Sequence, residues 1–481
     1  MHDVIVIGGG PAGVTAALRA AELGAKVALV ESSRLGGTCT NDGCVPTRAL
    51  AKAARIRRDA EQYSDYGFSG SLPTLDFGDL MQRTQEIVFR IHEKKQLIRS
   101  LDVAGVDLHT QVGPAKFRDS HTIDLADGRN FSAEKFIVCI GGRPRRLPIP
   151  GAELALTHSD VWNLKKLPKS VVIIGAAATG CQLASIFADF GAAVSLVDLA
   201  ERIVQGEDRD ISAGLAASFE RRGIQVMTGV SGVNQISARD GRHFAEISVE
   251  DTAVELEAEV IVQAVGWPGN VASIMPDNAG IHHENGFIQV DSNLRSSADH
   301  IFAAGDITGR MMLVQSAGYE ARIAAENACS PWTRNYDHQI VPHGGFTDPE
   351  YGSVGPTEAQ ARLQGPIEVA SVPFAALDRA VIDGYPDGFC KLIASKEDLR
   401  IIGAHVLGEQ AVEIVQLVAT GMSAGLTVPQ LARLELAYPT YTAVVGLAAR
   451  QLSRKLGLEA LAPAWRDLGK DQVAEWEIKS S

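Results

Sequence analysis

Two stretches of the chain repeat one arrangement of apolar and turn positions. Val4 to Ile7 is a continuous apolar run rich in β-branched residues, the pattern of a strand buried on both faces. The turn Gly8-Gly9-Gly10-Pro11-Ala12-Gly13 follows. An Ala/Leu-rich run from Val14 to Leu23 then predicts a helix stopped by Gly24, and Val27 to Val30 predicts a strand ending at Glu31. The same order returns later: strand Val171 to Ile174, turn Gly175 to Gly180, helix Gln182 to Phe190 stopped by Gly191, and strand Val194 to Val197 ending at Asp198. From the last turn glycine to the acid is 18 residues in both copies. Such a repeat identifies a nucleotide-binding unit used twice.

Between the copies, helical patterns cover about 45–63 and 78–102, and a strand-rich return ends at Phe136 to Ile140. Arg143 to Gly151 carries three prolines and reads as a linker. After the second copy, strands lead to Ile301-Phe302-Ala303-Ala304-Gly305-Asp306. From about 341 the chain alternates strands (Ile367 to Pro373, Phe389 to Ala394, Ile401 to Val406) and then helices, which predicts an α+β domain. The expected fold is therefore α/β, with two Rossmann-like units, the second inserted in the first, and a C-terminal α+β domain. The expected boundaries are 1–150, 151–275, 276–340 and 341–481.

Composition changes this picture little. Hydrophobic residues make up 46% and charged residues 21% of the 481, an ordinary globular balance. A net charge of −13 argues against a nucleic-acid surface and against a polybasic membrane patch. Six cysteines are too few for a disulfide scaffold and point to a reducing compartment. Val171 to Ala188 is uncharged and just long enough for a short membrane span, but Gly175 and Gly180 divide it into strand and helix. The chain opens in a strand-like run without the features of a signal peptide. The expectation is a cytosolic protein.

Two segments carry chemistry. Gly8-x-Gly10-x-x-Gly13 with Glu31 fits a dinucleotide fingerprint: the glycines let the backbone approach a pyrophosphate at a helix N-terminus, and the acid accepts from a ribose hydroxyl. In Gly36-Gly37-Thr38-Cys39-Thr40-Asn41-Asp42-Gly43-Cys44-Val45-Pro46-Thr47, two cysteines five positions apart follow that unit. They could close a small redox ring, since a thiolate near a helix N-terminus is a nucleophile of lowered pKa. A pair of packing cysteines is the bland alternative. Zinc would need further ligands, and no other Cys/His cluster supplies them. Cys139, Cys181, Cys329 and Cys390 stand alone in apolar segments and read as core.

On these segments the chain resembles the class I pyridine nucleotide–disulfide oxidoreductases, which include lipoamide dehydrogenase, glutathione reductase and mercuric reductase. Gly141-Gly142-Arg143-Pro144, Ala304-Gly305-Asp306 and Phe346-Thr347-Asp348-Pro349-Glu350 with Val354-Gly355-x-Thr357-Glu358 extend the resemblance over nearly the whole length. It implies FAD held by Gly8, Gly10, Pro11, Ala12, Gly13, Glu31, Gly37, Thr38, Ala115, Gly141, Asp306 and Val314. It also implies a redox-active Cys39–Cys44 disulfide, with Cys44 against the flavin and Cys39 exchanging with a small or protein disulfide. A homodimer built through the C-terminal domain is implied as well.

The chain departs from that family at two places. In the second turn, Ala177 replaces the middle glycine between Gly175 and Gly180, and Ala178 is small where relatives often carry a bulky gate. Arg48 and Gln182 replace a Lys and a Glu beside the nicotinamide pocket, and Trp267 replaces an Arg. Asp198 still favours a free ribose diol. Two readings stay open: a working NAD(P)H site, as in lipoamide dehydrogenase, or a site holding a second FAD, with Trp267 as stacking face and a protein as electron donor. At the C-terminus, Tyr438 and Ala443 stand where relatives carry a His–Glu proton-shuttling dyad, and a phenol is a poor base near neutral pH. The tail from Ala462 to Ser481 has no cysteine, which counts against mercuric reduction, and no metal site is expected. A non-catalytic redox-sensing flavoprotein is the alternative from another class.

Overall fold

The computed structural model describes residues 1–250 and 252–458; the tail noted above lies outside them. Two compact units divide between Pro349 and Glu350, nine residues beyond the boundary expected between 340 and 341.

The first unit holds two Rossmann-like sheets. In the first, Asp107–His109, Val27–Val30, His2–Ile7, Asn130–Val138 and Ile301–Ala303 lie side by side and parallel. The N-terminal part of Asn130–Val138 also carries an antiparallel pair, Thr122–Asp124 and Lys116–Asp119. Residues 301–303 thus return to the sheet that the N-terminus began. In the second, Gln225–Met227, Ala193–Val197, Ser170–Ile174, Val260–Gln263 and Leu156–Thr157 are all parallel. A three-stranded antiparallel meander, Gly232–Arg239, Arg242–Val249 and Thr252–Ala258, is inserted before its fourth strand. The central strands are almost wholly buried, as continuous apolar runs in parallel sheets should be.

The helix Pro11–Glu22 follows the first turn, with Pro11 at its opening position, where no amide is missed. Its Ala12, Ala16, Ala17 and Ala20 pack in one core with Ala317, Ala321, Ala324 and Ala325 of the helix Val314–Cys329. Alanine on both faces lets two helices approach closely. In the second copy the helix is Ala178–Asp189, beginning four residues before the sequence pattern suggested. The predicted helix over 78–102 is broken in two, Phe77–Lys95 and Leu97–Val103, because Gln96 adopts a left-handed conformation with φ of 49°. No glycine or proline marks that break.

In the second unit, Tyr351–Val354, Ile401–Leu407, Phe389–Ser395 and Ile367–Pro373 form an antiparallel sheet in that order. The helices Ala411–Ser423 and Ala443–Lys455 complete the α+β arrangement.

A buried ion network joins three parts of the first unit. Arg58, on the helix Cys44–Glu61 that begins at the second cysteine, donates to Asp348 at 2.7 Å. Arg222 pairs with both Asp348 and Asp189. The amide of Asp348 donates to Ser185 Oγ at 2.9 Å. Burial pushes the Asp189 carboxyl up to about 7, against the pull of Arg222. Removing one member of such a network strands a buried charge, which costs far more than the intact pair contributes. Arg222→Leu should therefore lower unfolding stability by about 3–5 kcal/mol, read from the denaturant midpoint. A loss below about 1 kcal/mol would show the network to be solvent-screened.

Candidate active site

The two glycine turns are superimposable in their steric logic. Gly8 and Gly175 have φ of 102° and 104°, and a Cβ on either would lie 2.3 Å from a carbonyl oxygen, of Cys139 and Ala264 respectively. A Cβ on Gly13 or Gly180 would meet the carbonyl oxygen of Gly8 or Gly175 at 1.7 or 1.8 Å. These four glycines are required by the fold itself. The middle position is different. A Cβ on Gly10 would find only Gly37 Cα, at 3.7 Å, so this glycine is not demanded by packing. It leaves room at a helix N-terminus whose first amides have no side-chain cap, as a pyrophosphate requires. That open cradle fits FAD.

Ala177 occupies the same position in the second copy with the same backbone: φ −75°, ψ −174°, against −73° and −173° at Gly10. Its methyl therefore stands where Gly10 leaves space, with no compensating shift of the turn. The acids also repeat. Glu31 accepts from the Gly9 amide at 2.6 Å and from the Ser33 amide at 2.7 Å. Asp198 accepts from the amides of Ala176 and Ala200. Both acids thus brace their own turn, in addition to any ribose they hold.

The cysteine segment is folded against the first turn. Gly36 and Gly37 have φ of 96° and 58°, and a Cβ on Gly37 would come within 2.8 Å of Gly10 Cα. From that contact runs the five-residue helix Gly37–Asn41, carrying Thr38 and Cys39; Cys44 then opens the helix Cys44–Glu61. Cys39 and Cys44 are thiols hydrogen-bonded to each other. That bond lowers the Cys44 thiol to about 7, against the desolvation of its surroundings, and raises Cys39, which desolvation raises further. The reduced pair is thus a Cys44 thiolate receiving the Cys39 S–H. Lys95 draws both thiols towards ionisation and Asp306 opposes it.

Asp306 follows Gly305, whose φ of 80° and ψ of −158° only glycine adopts easily. Glu320, fully buried, accepts from the Gly305 amide at 2.7 Å and is pushed up to about 7 by that burial. Nothing in the sequence pattern singled it out. Trp267 Nε1 donates to Asp306 Oδ2 at 2.9 Å, and its ring lies against His158 and Gly142. Its indole is thus tied to a residue expected at the first cofactor, as well as standing in the segment expected at the second. Ala115 is buried, Gly141 takes a φ of 62°, and Val314 is the exposed first residue of its helix.

A polar bridge that sequence reading missed links the cysteine loop to the second nucleotide unit. Ser159 Oγ donates to Asp42 Oδ2 at 2.7 Å, and Trp162 Nε1 donates to the Asp42 carbonyl at 2.6 Å. Arg48 and Gln182 converge on one residue. The Arg48 guanidinium lies 4.6 Å from the centre of the Phe346 ring, and Gln182 Oε1 accepts from the Phe346 amide at 3.0 Å. In the second unit, Tyr438 is 76% exposed and donates to Asp378, which raises its phenol further from the neutral range. Ala443, which supplies no side-chain acid, begins the helix Ala443–Lys455.

Known proteins match this arrangement along nearly its full length. The sequence profile of pyridine nucleotide-disulphide oxidoreductases matches residues 2–321, and that of their dimerisation domain matches 341–449. Dihydrolipoyl dehydrogenase of Zymomonas mobilis is 35% identical over 430 residues, covering 86% of this chain and 90% of its own. That of Bacillus subtilis is 30% identical over 464 residues, covering 93% and 97%. Among solved structures, the HOCl-induced flavoprotein disulfide reductase RclA of Escherichia coli superposes with a TM-score of 0.83 at 29% identity, covering 93% of this chain and 99% of that one.

The thiol pair generates a pH prediction. Alkylation of Cys44 in the reduced protein should show a midpoint near pH 7. In Cys39→Ala, losing a hydrogen bond to a charged sulfur should raise that midpoint by about 1–2 units. An unmoved midpoint would mean that Cys39 does not hold the thiolate.

Proposed function

The chain belongs to the pyridine nucleotide-disulphide oxidoreductase family and is an FAD-dependent oxidoreductase of sulfur groups with a dimerisation domain, and on that footing we propose that Cys39 and Cys44 are its working dithiol. The observation that carries this is the hydrogen-bonded thiol pair packed directly on an uncapped dinucleotide turn. FAD, when bound, supplies two-electron exchange with the pair. The residues do the rest. Gly10 and the helix Pro11–Glu22 seat the pyrophosphate, Glu31 the ribose and Asp306 the ribityl chain. Cys44 holds its charge beside the flavin, and Cys39 exchanges with the substrate disulfide. The substrate is a small or protein disulfide, and the functional form is a homodimer. Disulfide reduction by the holoenzyme should fall to background in Cys39→Ser with flavin content unchanged. Turnover surviving that change would remove the pair from the reaction.

A second reading concerns the other nucleotide unit: it takes a second FAD in place of NAD(P)H and receives its electrons from a protein donor. Two observations favour it over an ordinary NAD(P)H-linked enzyme of the dihydrolipoyl dehydrogenase kind. The Ala177 methyl intrudes on an unshifted turn, and Arg48 and Gln182 are engaged with Phe346 rather than forming the ion pair of relatives. Asp198 suits any adenosine diphosphate with a free ribose diol. The purified protein should then carry two flavins per chain and be reduced by dithionite but only slowly by NADH or NADPH. One flavin per chain with rapid reduction by NADH supports the NAD(P)H-linked enzyme instead.

A further inference from the structure

The end of one helix brings a cation to the reactive sulfur. The helix Phe77–Lys95 stops where Gln96 turns left-handed, so Lys95 is its last residue. Its ammonium donates to Thr40 Oγ1 at 2.9 Å, and Thr40 is the buried neighbour of Cys39. One turn earlier on the same face, His92 Nε2 lies 2.8 Å from Asn41 Oδ1. Two successive residues after Cys39 are thus held by this helix end. Lys95 itself is exposed, so its ammonium keeps donors beyond the one given to Thr40. The carboxylates nearby are already engaged: Asp42 by Ser159 and Asp306 by Trp267.

We propose that Lys95 sets the charge preference of disulfide exchange at Cys39, favouring disulfides that carry an anionic group, such as a carboxylate, beside the sulfur atoms. This rests on the assignment of Cys39 as the exchanging thiol. In the exchange, the Cys39 S–H passes its proton to the Cys44 thiolate it is bonded to, and the Cys39 sulfur attacks the substrate disulfide. A Cys39–substrate S–S bond forms, the substrate S–S bond breaks, and one substrate thiolate leaves, taking up the proton from Cys44. The Cys44 thiolate then attacks Cys39, closing the enzyme disulfide and expelling the second thiolate. The enzyme dithiol is oxidised by two electrons and the substrate disulfide reduced by two. Both departing groups are anionic sulfurs, so a fixed cation at Thr40 lowers the energy of each displacement. It also attracts an anionic substrate to a chain whose overall charge of −13 would repel it.

The test uses dithionite-reduced holoenzyme mixed with two disulfides of opposite charge, the dianionic dithiobis(nitrobenzoate) and the dicationic cystamine. The ratio of their exchange rates is the readout. Lys95→Gln should lower the anionic-to-cationic ratio about tenfold, as one unit charge near contact distance implies, and added salt should lower the wild-type ratio in the same direction. Lys95→Arg should preserve the ratio, and so should Thr40→Val, which removes the hydrogen bond but keeps the charge. Equal slowing of both disulfides in Lys95→Gln would mean a merely structural lysine and overturn the proposal. So would an unchanged ratio with brisk exchange, although the assignment of Cys39 would then stand. Failure of the wild-type dithiol to react with either disulfide would overturn that assignment, and the proposal with it.

Discussion

Where Gly37 meets Gly10, two backbones touch with no side chain between them. A single Cβ on Gly37 would come within 2.8 Å of Gly10 Cα, so the contact exists only as long as residue 37 is glycine. Everything chemical in the first unit is positioned from it. The turn at Gly10 leads into a helix whose free amides face a pyrophosphate position, and the turn at Gly37 leads into the short helix carrying Cys39. Because the same contact fixes both, the thiols cannot move away from the dinucleotide cradle without unpacking the turn. The price of this arrangement is positive-φ backbone at Gly36 and Gly37, which glycine adopts with less strain than other residues.

The internal repeat shows which features of the turn are structural and which serve a ligand. The first and last glycines of each copy are forced by carbonyl oxygens within 2.3 Å of any added Cβ. The acid at the end of the second strand braces the turn through its amide in both copies. Of the three fingerprint positions only the middle one is free of such demands, and there the copies differ, Gly10 against Ala177. Two turns with matching backbone at this position, one of them carrying a methyl there, therefore present different space to a ligand. That separation is why a fold comparison alone assigns the family and leaves the occupant of the second unit to be measured.

Much of this was legible in the residues. The glycine turns, their acids and the cysteine pair are local patterns whose spacing is dictated by strand and helix geometry, so sequence alone located them. The break at Gln96 was not legible, because a left-handed glutamine carries no composition signal. With it went Lys95, whose relation to Thr40 spans 55 residues. Glu320 was hidden for a different reason: it sits in an alanine-rich helix where periodicity marks only a buried face, and burial does not reveal what an acid bonds to. The reach of the Trp267 indole to Asp306, 39 residues on, is likewise a long-range contact that its neighbours in sequence do not announce.

The departures from relatives fall at the two ends of the electron path rather than in its middle. The cradle, the thiol pair and Asp306 keep the family pattern. On the nucleotide side, Ala177 narrows the turn and Phe346 holds Arg48 and Gln182. On the proton side, Tyr438 donates to Asp378, and Ala443 offers no acid. Asp378 raises the Tyr438 phenol further above its ordinary value, so it offers no phenolate base near neutral pH, and proton balance at the leaving thiol falls to the low pKa of Cys44 and to the acid the substrate brings. A thiolate near 7 needs no strong base to form at neutral pH. The absence of a His–Glu dyad is then compatible with exchange, provided the departing thiolates are stabilised by charge, which is the part the Lys95 ammonium is placed to play.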